Sequence, residues 1–224
     1  VTRPLPVSAV LFDLDGTLAD SAGDLALALN RIRESRGLAP VPPADLRPYA
    51  SSGARGLLHR GMDVTQADPE YAALRELFLA NYEACLAETT TLFEGVSETL
   101  DAIEARGLPW GIVTNKFERF TTPVVAALGL AARAAVVVGG DTTPHAKPHP
   151  APLLHAALAM KVAPSTCVYV GDDLRDVEAG SAAGMATIVA GYGYMGVGGD
   201  PRRWPATGWI DRPRDLIDWL PGRA

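Results

Sequence analysis

Two carboxylates and a hydroxyl, Asp13-Leu14-Asp15-Gly16-Thr17, follow directly on the largely apolar run Val7 to Phe12. Period-two alternation lets Asp13 and Asp15 share one side of the chain, and Gly16 frees the backbone to turn at once. Paired acids at a strand end are costly unless a cation meets them. Mg²⁺ is a hard ion that takes such oxygen ligands. Taken alone, the stretch fits either a magnesium site or an ordinary polar turn. Three more pieces bear on the choice. Thr114-Asn115 follows the apolar Trp110 to Val113, Lys147 precedes Pro148 and Pro150, and Gly171-Asp172-Asp173-Leu174-Arg175-Asp176 follows Cys167 to Val170.

The chemistry of these pieces is complementary. Asp13 can attack phosphorus and carry a covalent phosphoryl group. Asp15 can protonate the leaving alkoxide and then activate water. Lys147 is a point charge suited to a phosphoryl oxygen, and the Thr114 hydroxyl with the Thr114–Asn115 amides suits charge that grows in the transition state. Asp172 can join Asp13 on one Mg²⁺, with Asp176 a helical turn further on either supporting these ligands from behind or serving as an alternate ligand. Each residue also has a plainer reading: Asp172, Asp173 and Asp176 as acids at a helix N-terminus, Lys147 as a surface lysine, Asp20 and Asp24 as cap and surface groups. The ordered combination is what argues for a site.

Those residues need elements that bring them together. Ala9 to Phe12, Trp110 to Thr114, Ala135 to Val138, Cys167 to Val170 and Thr187 to Val189 are expected strands. Helices are expected at Val96 to Arg106, Thr121 to Leu128, Pro150 to Met160 and Asp176 to Ala183. Short apolar strands separated by helices imply a parallel sheet covered on both faces. In such a sheet the carboxyl ends share one edge, where residues 100 apart in sequence converge.

Between the first strand and the rest, residues 19–91 show helical periodicity and no strand pattern. Leu25, Leu29 and Ile32 mark a helix that Asp20 or Ser21 can cap and Gly37 ends. Leu74, Leu77, Phe78, Tyr82 and Leu86 mark another. This insert is expected to form a cap over Asp13, with residues 1–18 and 92–224 as the catalytic core. The glycine-rich stretch Gly191 to Gly199 reads as a flexible loop without the residue order of a nucleotide-binding loop.

Composition narrows the function. Of 224 residues 48% are apolar, and the net charge is −6 with only three lysines, Lys116, Lys147 and Lys161. A nucleic-acid surface or an anionic-membrane surface would need clustered positive charge, and the chain has no such run. Cys85 and Cys167 stand in apolar settings and fit buried thiols. His59, His145, His149 and His155 are not expected to ligate a metal. No secretory h-region or membrane-length apolar run occurs, so a cytoplasmic enzyme is expected, as a monomer or homodimer.

The four pieces, in this order, resemble the haloacid dehalogenase superfamily of phosphohydrolases. Thr114-Asn115-Lys116, Leu128-Gly129-Leu130, Val138-Gly139-Gly140-Asp141, Lys147-Pro148-His149-Pro150 and Ala182-Ala183-Gly184-Met185 are similar to its phosphoglycolate phosphatase branch. The resemblance implies an α/β fold, a Rossmann-like parallel sheet of order 5-4-1-2-3 with an inserted all-helical cap of the first type. It implies Asp13 as nucleophile, Asp15 as general acid/base, and Thr114 and Lys147 as phosphate-binding groups. Asp13, Asp172 and the Asp15 backbone carbonyl would hold Mg²⁺. Thr17, Asn115, Arg55 and Lys116 are the candidates for further substrate contacts, Lys116 by closing the core side of the pocket and Arg55 by meeting the substrate's non-reacting end.

The sister reactions differ in their residues. Dehalogenases lack the second acid, present here as Asp15. Phosphonoacetaldehyde hydrolases need a cap lysine, and none occurs between residues 1 and 115. A phosphomutase uses the same two aspartates and stays open, as does a binding protein that kept the fold. The expected substrate is a small phosphate ester, first of all 2-phosphoglycolate. The Ser51-to-Arg55 piece, the Gly171-to-Asp176 run and Tyr192-Gly193-Tyr194 also resemble the N-acetylmuramic acid 6-phosphate phosphatases, which makes that ester the alternative.

Overall fold

The computed structural model describes residue 5 and residues 7–222. Arg3, Pro4 and Pro6, of which the prolines read from the sequence as turn-formers, lie outside the described residues. In chain order, strands β1 (Ala9–Phe12) and β2 (Ala19–Asp20) lead into helices α1 (Ala22–Ser35) and α2 (Pro43–Leu46). A 3-10 turn at Arg47–Ser52 then precedes α3 (Gly53–Met62), α4 (Tyr71–Glu83) and strand β3 (Thr91–Leu92). Helix and strand alternate from there: α5 (Val96–Glu104), β4 (Trp110–Val113), α6 (Glu118–Ala127), β5 (Val136–Val138), α7 (Ala151–Ala159) and β6 (Cys167–Gly171). The chain closes with α8 (Leu174–Ala182), β7 (Ala186–Ala190), β8 (Gly208–Ile210) and a 3-10 turn at Pro213–Trp219.

The main sheet runs β5-β4-β1-β6-β7-β8 and every pairing in it is parallel. This is the expected order with β8 added at one edge. Gly208-Trp209-Ile210 is too short for a periodic signal, and only its pairing with β7 makes it a strand. Alternation divides the central strands between two cores. Val10, Phe12, Trp110, Ile112, Val168 and Val170 pack on one face, and Ala9, Leu11, Val113, Cys167 and Tyr169 on the other. Burial on both faces is why these strands read as unbroken apolar runs.

Helices α1 to α4 build a cap with its own interior, in which Leu25, Leu29, Ile32, Leu74, Phe78 and Tyr82 meet. Leu77, placed on this stripe by periodicity, is instead 43% exposed. Phe120 and Tyr194 reach into the same cluster from the core. The cap segment is not wholly helical, because β2 pairs antiparallel with β3, Ala19 against Leu92 and Asp20 against Thr91. This two-residue ribbon, where the chain leaves and rejoins the core, is too short to show a period.

Two acids near this junction, Asp20 expected as a cap and Asp24 as a surface group, take other roles. Asp24 is fully buried and accepts hydrogen bonds from the Thr89 amide (2.8 Å), the Thr89 hydroxyl (2.6 Å) and the Thr90 hydroxyl. Asp20 is ion-paired with Arg47 at 2.7 Å. Cys85 and Cys167 are free and buried, and burial pushes the Cys85 thiol up to about 11. Among the described residues no helix is long and apolar enough to cross a membrane.

Candidate active site

Adjacent parallel strands β4, β1 and β6 end at one edge, and the groups that follow them converge there. Asp13 follows β1, Thr114 follows β4 and Asp172 follows β6. Gly16 sits at a φ of 85°, and a Cβ at that position would overlap the Asp172 carboxylate. The tight turn after β1 therefore lets Asp172 approach.

Lys147 is the charge at the centre. Its Nζ lies 2.9 Å from Asp13 Oδ1 and 2.7 Å from Asp176 Oδ1, and it donates to the Val113 carbonyl (3.0 Å) and the Tyr169 hydroxyl (2.7 Å). Burial disfavours the ammonium, but the charges of Asp13 and Asp176 outweigh it and hold Lys147 above its usual value. Carboxylate oxygens of Asp13, Asp172 and Asp176 lie within 4.8 Å of one another. Burial, opposed by Lys147, pushes the Asp13 carboxyl up to about 7. Burial and the neighbouring acids hold Asp172 well above the usual carboxylate range.

This cluster fits a hard divalent ion. Three acids cluster beside one ammonium that pairs with only two of them, Asp13 and Asp176, and Asp13 Oδ1 makes no aligned hydrogen bond. Asp176 belongs to the cluster, but its oxygens already accept from Lys147, from the Tyr169 hydroxyl (2.9 Å) and from the Asp173 amide (3.1 Å). The Asp15 side chain lies outside this group of acids. Its Oδ1 accepts from the Ser21 hydroxyl and lies 3.2 Å from Lys116 Nζ.

A cavity of about 290 Å³ stands over this floor, lined from the core by Asp13, Asp15, Thr114 and Lys147. Its cap side carries Arg55 and Arg75, with Tyr71, Phe78 and Tyr82. Arg55 is exposed at the mouth. Lys116 bridges the two sides by donating to the Tyr82 hydroxyl, and its Nζ lies 4.4 Å from the centre of that ring. Burial opposes its charge, while Asp15 and Tyr82 hold its pKa above the ordinary lysine value.

Two expected substrate contacts, Thr17 and Asn115, have protein partners for their side chains. The Thr17 hydroxyl is fully buried and donates to Asp172 Oδ1 at 3.2 Å. The Asn115 amide makes two bonds of 2.9 Å to the Lys147 backbone, donating to its carbonyl and accepting from its N–H. Thr114 Oγ1 accepts from the Lys116 amide at 3.2 Å and leaves its proton free to donate.

Other site residues carry no role that their sequence settings suggest, although Arg175 lies within the Gly171-to-Asp176 run. Tyr169 alternates within an apolar strand like any core aromatic, and Tyr82 fits the apolar stripe of its helix. Arg175 is held by both Asp173 oxygens, at 2.8 and 2.9 Å, and donates to the Ser51 carbonyl of the cap. The hydrogen bond to Asp173 raises Arg175 above its usual value.

Comparison with known proteins agrees with this arrangement. Residues 10–190 match the haloacid dehalogenase-like hydrolase family. An N-acetylmuramic acid 6-phosphate phosphatase of Pseudomonas aeruginosa is 41% identical over 218 residues, 97% of this chain and 96% of that protein. A phosphoglycolate phosphatase of Xanthomonas campestris pv. campestris is 45% identical over 213 residues, 95% of each chain. A crystal structure of a predicted phosphoglycolate phosphatase from Haemophilus somnus superposes with a TM-score of 0.81 at 27% identity, covering 95% of this chain and 97% of that one. With the parallel sheet, the helical cap and the clustered acids between them, this chain belongs to the haloacid dehalogenase-like hydrolase family.

Proposed function

We propose that the protein is a Mg²⁺-dependent phosphomonoesterase working through an aspartyl phosphate, its cap spanning residues 19–91. The observation that carries this reading is Asp13, held 2.9 Å from Lys147 Nζ at the floor of the cavity. Asp13 attacks phosphorus, the bond to the leaving oxygen breaks, and Asp15 gives that oxygen its proton. Asp15 then takes a proton from water, which attacks the phosphoryl group, frees Asp13 and releases phosphate. Lys147 and the Thr114 hydroxyl face the charge on the phosphoryl oxygens. Asp13, Asp172 and the Asp15 carbonyl would hold Mg²⁺ with Asp176 beside them, and the bound ion supplies positive charge against the phosphate.

Protons compete with the ion for these acids. Mg²⁺ is expected to raise the melting temperature more at pH 8 than at pH 6, because Asp13 is pushed up to about 7 and is largely protonated at the lower pH. Thermal melts with Mg²⁺ and with EDTA at both pH values check this. An equal or larger shift at pH 6 would count against the assigned ligands.

For the substrate, the cavity favours a phosphorylated sugar acid such as N-acetylmuramic acid 6-phosphate. About 290 Å³ far exceeds what a two-carbon acid fills, and the partly exposed rings of Tyr71 and Phe117 in its wall suit a sugar ring. The second reading, 2-phosphoglycolate, is favoured by relatives of that name at 44% and 45% identity. Either ester carries a carboxylate, which the forked guanidinium of Arg55 can meet at the cavity mouth.

The test is kcat/KM on both esters, glucose 6-phosphate and β-glucose 1-phosphate. A 100-fold lead for one ester, about 2.7 kcal/mol, would assign it. Arg55→Ala is expected to raise KM about tenfold for carboxylate-bearing esters and to leave glucose 6-phosphate nearly unchanged. Equal losses on all four would remove Arg55 from carboxylate recognition.

A further inference from the structure

The glycine-rich stretch after β7, expected to be a flexible loop, begins with residues packed against the site. The Tyr192 hydroxyl donates to the Thr17 carbonyl at 3.0 Å, and a Cβ on Gly193 would overlap the Gly16 carbonyl. Tyr194 is 5% exposed, and its backbone N–H donates to Asp172 Oδ2 at 2.8 Å. Its hydroxyl accepts from the backbone N–H groups of Ser21 (2.7 Å) and Ala22 (3.0 Å) and donates to Asp20 Oδ1 at 3.1 Å.

Amides that open a helix have no carbonyl partner inside it. Ser21 stands at the N-cap position of α1 yet makes no side-chain cap. A phenol 173 residues away takes that place. The Ser21 hydroxyl is thereby left to donate to Asp15 Oδ1. The ring is held in turn: the Arg47 guanidinium lies 4.9 Å from its centre, and the Phe93 ring 6.2 Å away.

We propose that Tyr194 is a positioning residue for Asp15. By fixing the Ser21 backbone it sets the Ser21 hydroxyl, and this hydroxyl with Lys116 Nζ holds the Asp15 carboxyl toward the cavity. One phenol thus joins the loop that holds Asp172, the first turn of the cap and the acid that serves the leaving group. Burial keeps the phenol above its usual pKa, so it stays neutral and both accepts and donates. The inference rests on Asp15 being the general acid of the proposed reaction.

Leaving-group dependence separates positioning from general support. With the Mg²⁺-loaded enzyme, kcat/KM reports the steps up to the aspartyl phosphate. There an alkoxide needs a proton, and a nitrophenolate leaves without one. Tyr194→Phe is expected to lower kcat/KM for glucose 6-phosphate about tenfold or more, and that for p-nitrophenyl phosphate by less than about threefold. Ser21→Ala should show the same asymmetry, and the double variant should be no worse than the poorer single one. In metal-free protein, Tyr194→Phe should also speed hydrogen exchange at the Ser21 and Ala22 amides.

Equal losses on the two substrates, or additive losses in the double variant, would overturn the proposal. Asp15→Asn serves as the reference. If it hits both substrates equally, the general-acid reading itself fails. If it discriminates and Tyr194→Phe does not, only the positioning role fails.

Discussion

Asp13→Asn is expected to lower kcat/KM for every ester on the order of 10⁴-fold, about 5.5 kcal/mol of transition-state stabilisation. The substitution is isosteric, so the loss is chemical rather than structural. An amide is a poor nucleophile, and it can turn an NH₂ group toward the Lys147 ammonium that Asp13 faces at 2.9 Å. Stability should move the other way. The Asp13 carboxyl, pushed up to about 7 chiefly by burial, lies above its ordinary value of 3.8. Its ionised form therefore costs the fold nothing at low pH, and the cost is complete above pH 7. In EDTA, Asp13→Asn should raise the melting temperature at pH 8 and leave it nearly unchanged at pH 4. Steady-state kinetics and thermal melts on one preparation read both effects. An active Asp13→Asn enzyme would end the aspartyl-phosphate mechanism.

Lys147→Met should be costly to both activity and fold. Lys147 is 5% exposed, and its ammonium is the buried charge set between Asp13 and Asp176. Its removal leaves clustered acids without compensation, a loss of about 3–5 kcal/mol for a broken buried pair. Activity should fall on the order of 10³-fold, because the phosphoryl oxygens lose a fixed cation. The destabilisation has a sign in pH. Asp13 is pushed up to about 7 even with Lys147 lowering it, so without the ammonium its charge is more costly still at pH 8, whereas at pH 5 it is protonated and the penalty shrinks as pH falls. Denaturant unfolding in EDTA at the two pH values checks this. A penalty that is equal at both, or larger at pH 5, would mean that Lys147 acts through packing rather than charge.

How much of this was legible in the chain differs from residue to residue. The strands that carry Asp13, Thr114 and Asp172 are buried on both faces, so each appears as a short apolar run with its polar group at the end. The parallel sheet and the helical insert follow from the alternation of strands and helices, whereas the strand order comes from the family resemblance. Arg55 and Lys116, read as facing the pocket from the cap and the core, both line its wall.

What the chain does not show is which partner each polar side chain finds. Thr17 and Asn115 carry the residue types of substrate contacts, yet their nearest acceptors and donors belong to Asp172 and Lys147. Asp24 looks like a surface acid until Thr89 and Thr90 enclose it. Ser21 looks like a helix cap until the Tyr194 hydroxyl takes the amides it would have served.

Residue type and spacing alone determined the fold class, the edge of the sheet that bears the chemistry, and the acids and lysine gathered there, because periodic burial and strand ends are local patterns. The tertiary structure alone decided which hydroxyl holds which carboxylate, how Tyr82 and Tyr194 tie the cap to the core, and how large the cavity is. Hydrogen bonds between groups up to 175 residues apart have no period, and they exist only once the chain has closed on itself.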